Sequence, residues 1–431
     1  MLDIAYIREN TELVKETAKN KNVDVDVDKL IELDKKTSEL QPKVEEVRQQ
    51  RNELASSTKG QRPSEVDIKK GKELREQLEK LETDYHTAKS ERDAIWNKVP
   101  NVYSDGTPIG KDETANVVVR QVGKKPKFDF EPKEHFDVTA VKEMIDLERG
   151  AKVAGSRSSF LRGNIVKLQF ALINHALSVL TEENQLAEIA QKANLKVSAK
   201  SFVPVLTPVL VRKEVFATTG RLDPQDDKYI FDEDGLVLAG SAEHALGPMH
   251  MNEILDTKDF PLRYVGYSTN FRREAGSYGK DVKGILRKHQ FDKLEMESFT
   301  NSESAEEEQK FFVAIQEYLM SSLGLAYQVV AISSGDMGKP DYRQFDIETW
   351  MPGQNNYRET QTSDLVTDFQ ARRMNIRYKS AEGNKFVHMN DATAFAMGRT
   401  MIAIIENYQT KEGKVKIPEV LKMYMNNEEY L

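Results

Sequence analysis

Residues 28–98 constrain the fold more than any other part of the chain. Leu33, Thr37, Leu40, Val44, Val47, Arg51 and Leu54 recur at alternating spacings of four and three, and so do Leu74, Leu78, Leu81, Tyr85, Ala88, Arg92 and Ile95. A seam repeating every 3.5 residues marks helices that pack along a narrow stripe. Between the seams lies STKGQRPSE, where Gly60 and Pro63 stop one helix and Ser64 caps the next. Gly71 falls in the first turns of the second helix and weakens it locally. Two helices of similar length joined by a short turn predict an antiparallel hairpin, about 30 residues or roughly 45 Å long. A two-helix seam has no other core to join, so the hairpin is expected to project from the body. Over residues 28–98 Lys and Arg equal Asp and Glu in number, so the chain's net charge of −8 lies elsewhere. Heptads also suit a dimerising coiled coil; the short turn favours self-pairing, which leaves the outer faces and tip for a partner.

The 431 residues allow two or three domains, and 39% hydrophobic with 31% charged residues predicts a globular protein with a sizeable core. The chain has no cysteine, which excludes disulfides, thiolate zinc sites and cysteine nucleophiles. The start, MLDIAYIREN, has early acids and no apolar core of a signal peptide, and no run approaches the ~18 apolar residues of a membrane span. A cytoplasmic enzyme or assembly factor without membrane attachment is expected. The net negative charge argues against coating nucleic acid, though not against local basic patches.

Pro100 ends the hairpin and VPNVYSDGTPIG reads as a linker. QVGKKPKFDFEPKEHFD reads as loop or edge strand. AVKEMIDL, GNIVKLQFALINHALSVLTEEN, EEQKFFVAIQEYLMSSLGL and RTMIAIIENYQ are predicted helices. SFVPVLTPVLV is β-rich, and AYQVVAIS and RQFDIETWMP alternate like strands. Strands follow one another without regular intervening helices, which predicts an α+β fold: a mixed, mostly antiparallel sheet flanked by helices, plus the N-terminal antiparallel coiled-coil hairpin. Neither GxxxxGK(S/T) nor GxGxxG occurs, so a P-loop or Rossmann site is unsupported.

The chemistry concentrates in NFRREAGSYGKDVKGILRKHQFDKLEM, residues 270–296. Arg272, Arg273 and Glu274 read as a strand end, with Arg272 and Glu274 on one face. A strand-borne guanidinium beside a carboxylate suits an oriented phosphate, because its donor fork is planar and bidentate. Gly-Ser-Tyr-Gly suits a mobile loop, followed by Lys280, Lys283, Arg287 and Lys288. Seven basic against four acidic residues over 270–295 reverse the sign of the chain and point to a polyanion. If the chain returns as a strand, His289, Phe291 and Glu295 share a face. There an aromatic ring can stack on a base, and a carboxylate can take an ammonium or hydroxyl. The same pattern also suits a solvated hairpin, with Phe291 in a core and His289 structural.

This segment resembles motif 2 of the seryl-tRNA synthetases, class II aminoacyl-tRNA synthetases of bacterial type, and the likeness covers nearly the whole chain. MLDIAYIRENTELVKE resembles the family's start and the hairpin its tRNA-binding arm. VPVLTPVLVRKEVFATTGRL resembles motif 1, with Pro208 at the proline position, and ETQTSDLVTDFQARRMNIRY and GRTMIAIIENYQ resemble the later blocks. The resemblance implies residues 1–103 as a tRNA-binding domain and 104–431 as a class II catalytic domain. It implies a serine–tRNA ligase working through seryl-adenylate, with L-serine, ATP, Mg²⁺ and tRNA(Ser) as substrates and cofactor, and tRNA(Sec) only where the host has one. It implies a homodimer, and zinc is not expected.

By the same resemblance, Arg272 meets the α-phosphate and Arg399 the γ-phosphate, the two catalytic arginines. Arg273 and Glu274 complete the nucleotide-contacting segment, and Phe291 stacks on adenine. Glu359, Thr360, Gln361 and Thr362 belong to the ATP site, with Glu359 and Thr362 at magnesium. Ser241, Ala242, Glu243, Glu295 and Thr393 form the serine site. Several positions depart from the family: Ser241 stands for a threonine and Thr393 for a serine. Asp391, in NDATA, takes the place of an asparagine that Asn390 fills only with a one-residue shift. TQTSDL replaces a run rich in serine and cysteine. These changes touch the amino-acid pocket and keep alive a shifted specificity toward another small amino acid; a paralogue that has lost charging is a further alternative.

Overall fold

The computed structural model describes residues 1–59, 64–275 and 283–431. Gly60 and Pro63, the Gly276–Gly279 loop and Lys280 lie outside the described residues. The chain divides into two compact units, Met1–Val102 and Tyr103–Leu431.

The first unit is dominated by two long helices, α1 (Val27–Ser57) and α2 (Glu65–Trp96). Asp26 caps α1 by accepting from the Lys29 N–H, and Ser64 and Asp67 cap α2 reciprocally as a capping box. Arg48 meets Glu82 while Thr37 meets Arg92, so the helices run antiparallel. Leu33, Thr37, Val44, Val47, Leu74, Leu78 and Ala88 are buried along the seam as the heptads predict, whereas Arg51 is exposed. Gly71 faces Leu54, so its missing side chain lies on the packed side of the helix.

The second unit is built on an eight-stranded sheet. Its strands are β1 (Val117–Val122), β2 (Val203–Leu206), β3 (Leu262–Phe271), β4 (Gln290–Thr300), β5 (Tyr327–Ala331), β6 (Arg343–Met351), β7 (Asn356–Thr367) and β8 (His388–Ala396). The order is β1-β5-β6-β7-β8-β4-β3-β2, antiparallel throughout except for the parallel pair β2–β3. The expected mostly antiparallel mixed sheet is therefore observed. Its four longest helices among the described residues are α3 (Asn164–Leu180), α4 (Glu183–Lys192), α5 (Ala305–Ser322) and α6 (Met397–Asn407).

Period-two alternation on β4 divides the unit. Leu294 and Met296 enter the main core with Phe311 and Ile315 of α5 and Met401 of α6, while Phe291, Lys293 and Glu295 line a cavity on the other face. From α5, Gln309 reaches the carbonyls of Arg343 and Ser363, and Gln316 those of Thr362 and Thr393. Two irregularities lie beside the cavity: β7 carries an extra residue at Thr360 opposite β6, and β8 one at Ala394 opposite β4.

AVKEMIDL is not a helix. Residues 139–141 form a 3₁₀ turn, Ile145–Asp146 a short strand, and a helix starts only at Leu147. The Asp146 carboxylate accepts from the Arg149 N–H, so this acid begins a helix that apolar spacing alone places seven residues earlier. β3 ends at Phe271, so Arg272, Arg273 and Glu274 follow the strand, and Glu274 adopts φ 53°.

Arg263 of β3 and Glu308 of α5 form a buried bidentate pair at 2.5 and 2.8 Å, and Arg263 also donates to the Lys200 carbonyl. Arg263→Ala strands the Glu308 charge and is expected to cost about 3–5 kcal/mol, while Arg263→Met with Glu308→Leu regains most of it. Urea unfolding of the three proteins checks this; equal losses in the single and double variants would refute it.

Candidate active site

The cavity on the polar face of the sheet measures about 260 Å³. Ten residues anticipated from the sequence line it: Glu243, Arg272, Glu274, Phe291, Glu295, Glu359, Thr360, Thr362, Thr393 and Arg399. Ser241, Ala242, Arg273 and Gln361 do not. Ser241 is fully buried and its Oγ accepts from the Glu243 N–H at 3.4 Å, at the start of the short helix Glu243–Leu246. Ala242 is buried against the sheet at Gly266, where a Cβ would stand 3.1 Å from the Ala242 methyl and 2.8 Å from Leu246. Gly266 is thus what lets the segment carrying Glu243 lie on β3. The Arg273 guanidinium sits 5.0 Å from the centre of the Tyr229 ring, and Gln361 donates to the Ala394 carbonyl at 2.6 Å.

At one end of the cavity lie the arginines and the aromatic ring. The Arg272 Nε donates to the Gly240 carbonyl at 3.1 Å and its guanidinium stands 5.3 Å from the centre of Phe291. Arg399, in the first turn of α6, donates to the Glu359 carbonyl at 3.0 Å and pairs with its carboxylate at 2.8 Å. Ala396 and Gly398 at the same helix start also line the cavity, adding the positive end of the helix dipole. Glu274 pairs with Arg287 at 3.0 Å. His289 lies outside the lining and hydrogen-bonds the Arg272 carbonyl through Nδ1.

The other end is acidic. Glu297 on β4, Asp391 on β8 and Asp364 on β7 stand directly opposite one another on three neighbouring strands. Like charges in that register repel. Arg221 answers them: its Nε lies 3.2 Å from Glu243, and its Nη2 lies 2.9 Å from Asp341, 3.0 Å from Asp364 and 3.4 Å from Asp391. Gly338 makes that meeting possible, because a Cβ there would fall 2.2 Å from the Asp341 carboxylate. Lys293 pairs with Glu295 at 2.5 Å, and the Thr393 hydroxyl donates to Glu295 at 3.3 Å.

These charges set one another's titration. Burial opposes ionisation of Glu243, but Arg221 and then His244 outweigh it and hold the carboxyl well below its usual range. His244 is pushed down to about 4 by burial. Its Nδ1 accepts from the Gly240 N–H, so the proton of the neutral ring is on Nε2, 3.3 Å from Glu243. Burial lifts Glu295 against the pull of Lys293. Burial, then the charge of Glu243, lifts Asp391 well above the usual carboxylate range; burial, then Asp341, does the same for Asp364.

Arg221, Asp341 and Lys293 escaped the sequence reading. Lys293 shares the odd-numbered face of Phe291 and Glu295, a signal available in the sequence. Arg221 and Asp341 come from segments 120 residues apart, and no local pattern joins them.

Arg221→Met should cost at least about 3–5 kcal/mol at pH 7.5, because it leaves several buried carboxylates without their cation. A carboxyl such as Asp391, raised in the folded chain, favours folding below the unfolded value near 3.9 and forfeits that contribution as pH rises toward the folded value. The loss in the variant should therefore shrink at pH 5.5. Urea unfolding at the two pH values checks the sign, and equal losses would show that charge is not the cause.

Comparison with known proteins supplies the family. Residues 1–103 match the family described as the seryl-tRNA synthetase N-terminal domain, and residues 228–408 the class II tRNA synthetase core domain of the G, H, P, S and T enzymes. A serine–tRNA ligase of Petrotoga mobilis is 38% identical over 437 residues, covering 99% of each chain. A counterpart from Nitrosopumilus maritimus is 35% identical, again over 99% of each chain. The crystal structure of seryl-tRNA synthetase from Pyrococcus horikoshii complexed with ATP superposes with a TM-score of 0.86 at 34% identity, covering 100% of this chain and 99% of that one. Full-length identity at this level, the N-terminal hairpin and a class II antiparallel sheet with its arginines and glutamates on one face place this chain in the seryl-tRNA synthetase family.

Proposed function

We infer that the chain is an ATP-dependent serine–tRNA ligase that forms seryl-adenylate and passes the seryl group to the 3′ end of tRNA(Ser). The observation that carries this reading is the polarity of the cavity. Arg272, Arg399 and Phe291 gather at one end and Glu243, Glu295 and Thr393 at the other, with a polyanionic nucleotide suited to the first and an ammonium and hydroxyl to the second.

In the first step a serine carboxylate oxygen attacks the α-phosphorus of ATP as pyrophosphate leaves. Arg272 neutralises the α-phosphate, Arg399 the γ-phosphate, and Phe291 stacks on adenine. Arg399 exchanges its bond to Glu359 for a phosphate, which frees the Glu359 carboxylate. Glu359 and the Thr362 hydroxyl then offer two hard oxygens on one strand, a donor set that would hold Mg²⁺. When bound, that ion supplies charge neutralisation on the phosphates. Thr360 lines the same wall through the β7 bulge, and Glu274 holds Arg287 beside the nucleotide. Glu243 and Glu295 hold the serine ammonium and Thr393 narrows the space at the side chain. Ser241, Ala242, Arg273 and Gln361 act at one remove, by placing Glu243, packing its segment, resting on Tyr229 and holding β7 on β8. In the second step the terminal ribose hydroxyl of tRNA attacks the mixed anhydride and AMP leaves.

The same reading takes residues 1–103 as the tRNA-binding domain and 104–431 as the catalytic domain. Duplex RNA is gripped by shape and backbone contacts, which suits exposed cations on a hairpin. No helix among the described residues is long and apolar enough to cross a membrane, and a cytoplasmic homodimer belongs to the proposal.

Amino-acid-dependent ATP–pyrophosphate exchange tests the reading. Serine should exceed threonine, alanine and cysteine, and Arg272→Ala or Arg399→Ala should lower kcat/KM by about 10²–10³. No exchange with any of the four would refute it. Charge reversal of the exposed Lys69 and Lys70 on α2 should raise KM for tRNA several-fold in aminoacylation and leave serine-dependent exchange in place; an equal fall in both would remove the hairpin from tRNA binding.

A further inference from the structure

Resting on that reading, the acidic end of the cavity goes further than serine requires. One oxygen each from Glu243, Glu295 and Asp391 lies within 4.8 Å of the others. Serine brings a single ammonium to this end, since its carboxylate faces the nucleotide. Glu243 already has Arg221 and Glu295 already has Lys293. Asp391 hydrogen-bonds Glu243 and shares Arg221, at 3.4 Å, with Asp341 and Asp364. Arg221 and Lys293 thus serve the five acids Glu243, Glu295, Asp391, Asp341 and Asp364 before any substrate enters.

An independent observation marks the surplus as directed at a ligand. Asp364 lines the cavity at 5% exposure, and while its Oδ2 pairs with Arg221, its Oδ1 has no hydrogen-bond partner. A buried carboxylate oxygen without a partner, on a residue that lines a substrate cavity, costs free energy that a donor in the cavity can return. The Thr393 hydroxyl, by contrast, is already committed to Glu295. At the side-chain end, then, the pocket offers acceptors in excess. A hydroxyl brings one donor; an ammonium brings three and a charge.

We propose that this subsite accepts a short amino acid with a cationic side chain, of the size of serine with an ammonium in place of the hydroxyl, and that Asp391 is the residue that selects it. L-2,3-Diaminopropionate is the probe. Its activation follows the same balance as serine: the carboxylate oxygen forms a bond to the α-phosphorus of ATP, the bond from that phosphorus to the bridging oxygen of pyrophosphate breaks, and the side-chain ammonium keeps its proton. Asp391 and Glu295 flank that ammonium, and Glu243 keeps the α-ammonium. A longer basic side chain gains nothing, because the row of Glu297, Asp391 and Asp364 belongs to the sheet itself and closes the pocket behind it.

The experiment is ATP–pyrophosphate exchange by the full chain with L-serine, L-alanine and L-2,3-diaminopropionate in parallel, each also tried as a competitor of serine. Diaminopropionate should support exchange with kcat/KM within about tenfold of serine and far above alanine, whose methyl offers no donor. Asp391→Asn should shift the diaminopropionate-to-serine preference toward serine by at least about tenfold, and Asp364→Asn should shift it in the same direction. Serine-dependent exchange with no activation and no competition by diaminopropionate overturns the proposal while leaving the ligase reading intact. Exchange with diaminopropionate but not serine supports the proposal and overturns serine as substrate. No exchange with any amino acid overturns both. Equal losses for the two substrates in both variants would make Asp391 structural and overturn its selecting role.

Discussion

The centre of the sheet brings three carboxylates into cross-strand register and relies on one arginine to hold them there. Glu297, Asp391 and Asp364 repel along the row, and Arg221 sits against two of them together with Glu243 and Asp341. The consequences spread outward. Gly338 must lack a side chain for Asp341 to reach the guanidinium, and Glu243 stays ionised chiefly because Arg221 outweighs its burial. The charge of the amino-acid subsite is therefore a property of the sheet's register as much as of the residues that touch substrate.

Around that centre the sheet is split by alternation. Leu294 and Met296 of β4 feed the core shared with α5 and α6, and Phe291, Lys293 and Glu295 feed the cavity. Glutamines on the core side hold the cavity side in place. Gln316 of α5 ties the carbonyls of Thr362 and Thr393, which belong to two strands and to two parts of the site. The Thr360 and Ala394 bulges add a residue to each of these strands where they border the cavity, which puts Glu359 and Thr360 together on its wall. Rigid positioning of this kind is what phosphoryl transfer needs from a protein, since the step calls for placement and charge more than for covalent help.

Much of this was legible in the sequence, for reasons that differ from element to element. The hairpin was legible because a heptad seam and a serine cap are local, and α2 begins at the capping box of Ser64 and Asp67. Phe291 and Glu295 were legible because strand alternation is local too. AVKEMIDL misled because its apolar spacing resembles a helix, while the deciding contact is the Asp146 cap. Ser241 and Gln361 carry polar groups at positions that point to substrate by resemblance, yet the Ser241 hydroxyl and the Gln361 amide nitrogen bond the backbone.

By itself the sequence determined the antiparallel hairpin, the α+β class and ten residues that line the cavity. In each case the information was a period, a cap, or a motif carried in one stretch of chain. Tertiary structure alone decided that Arg221 faces four carboxylates, that Gly266 and Gly338 make room for Glu243 and Asp341, and that Asp391 meets both Glu297 and Asp364. The physical reason is range. Alternation and capping act over a few residues, whereas electrostatic compensation in a buried site is set by distances between segments that only the packed sheet brings together.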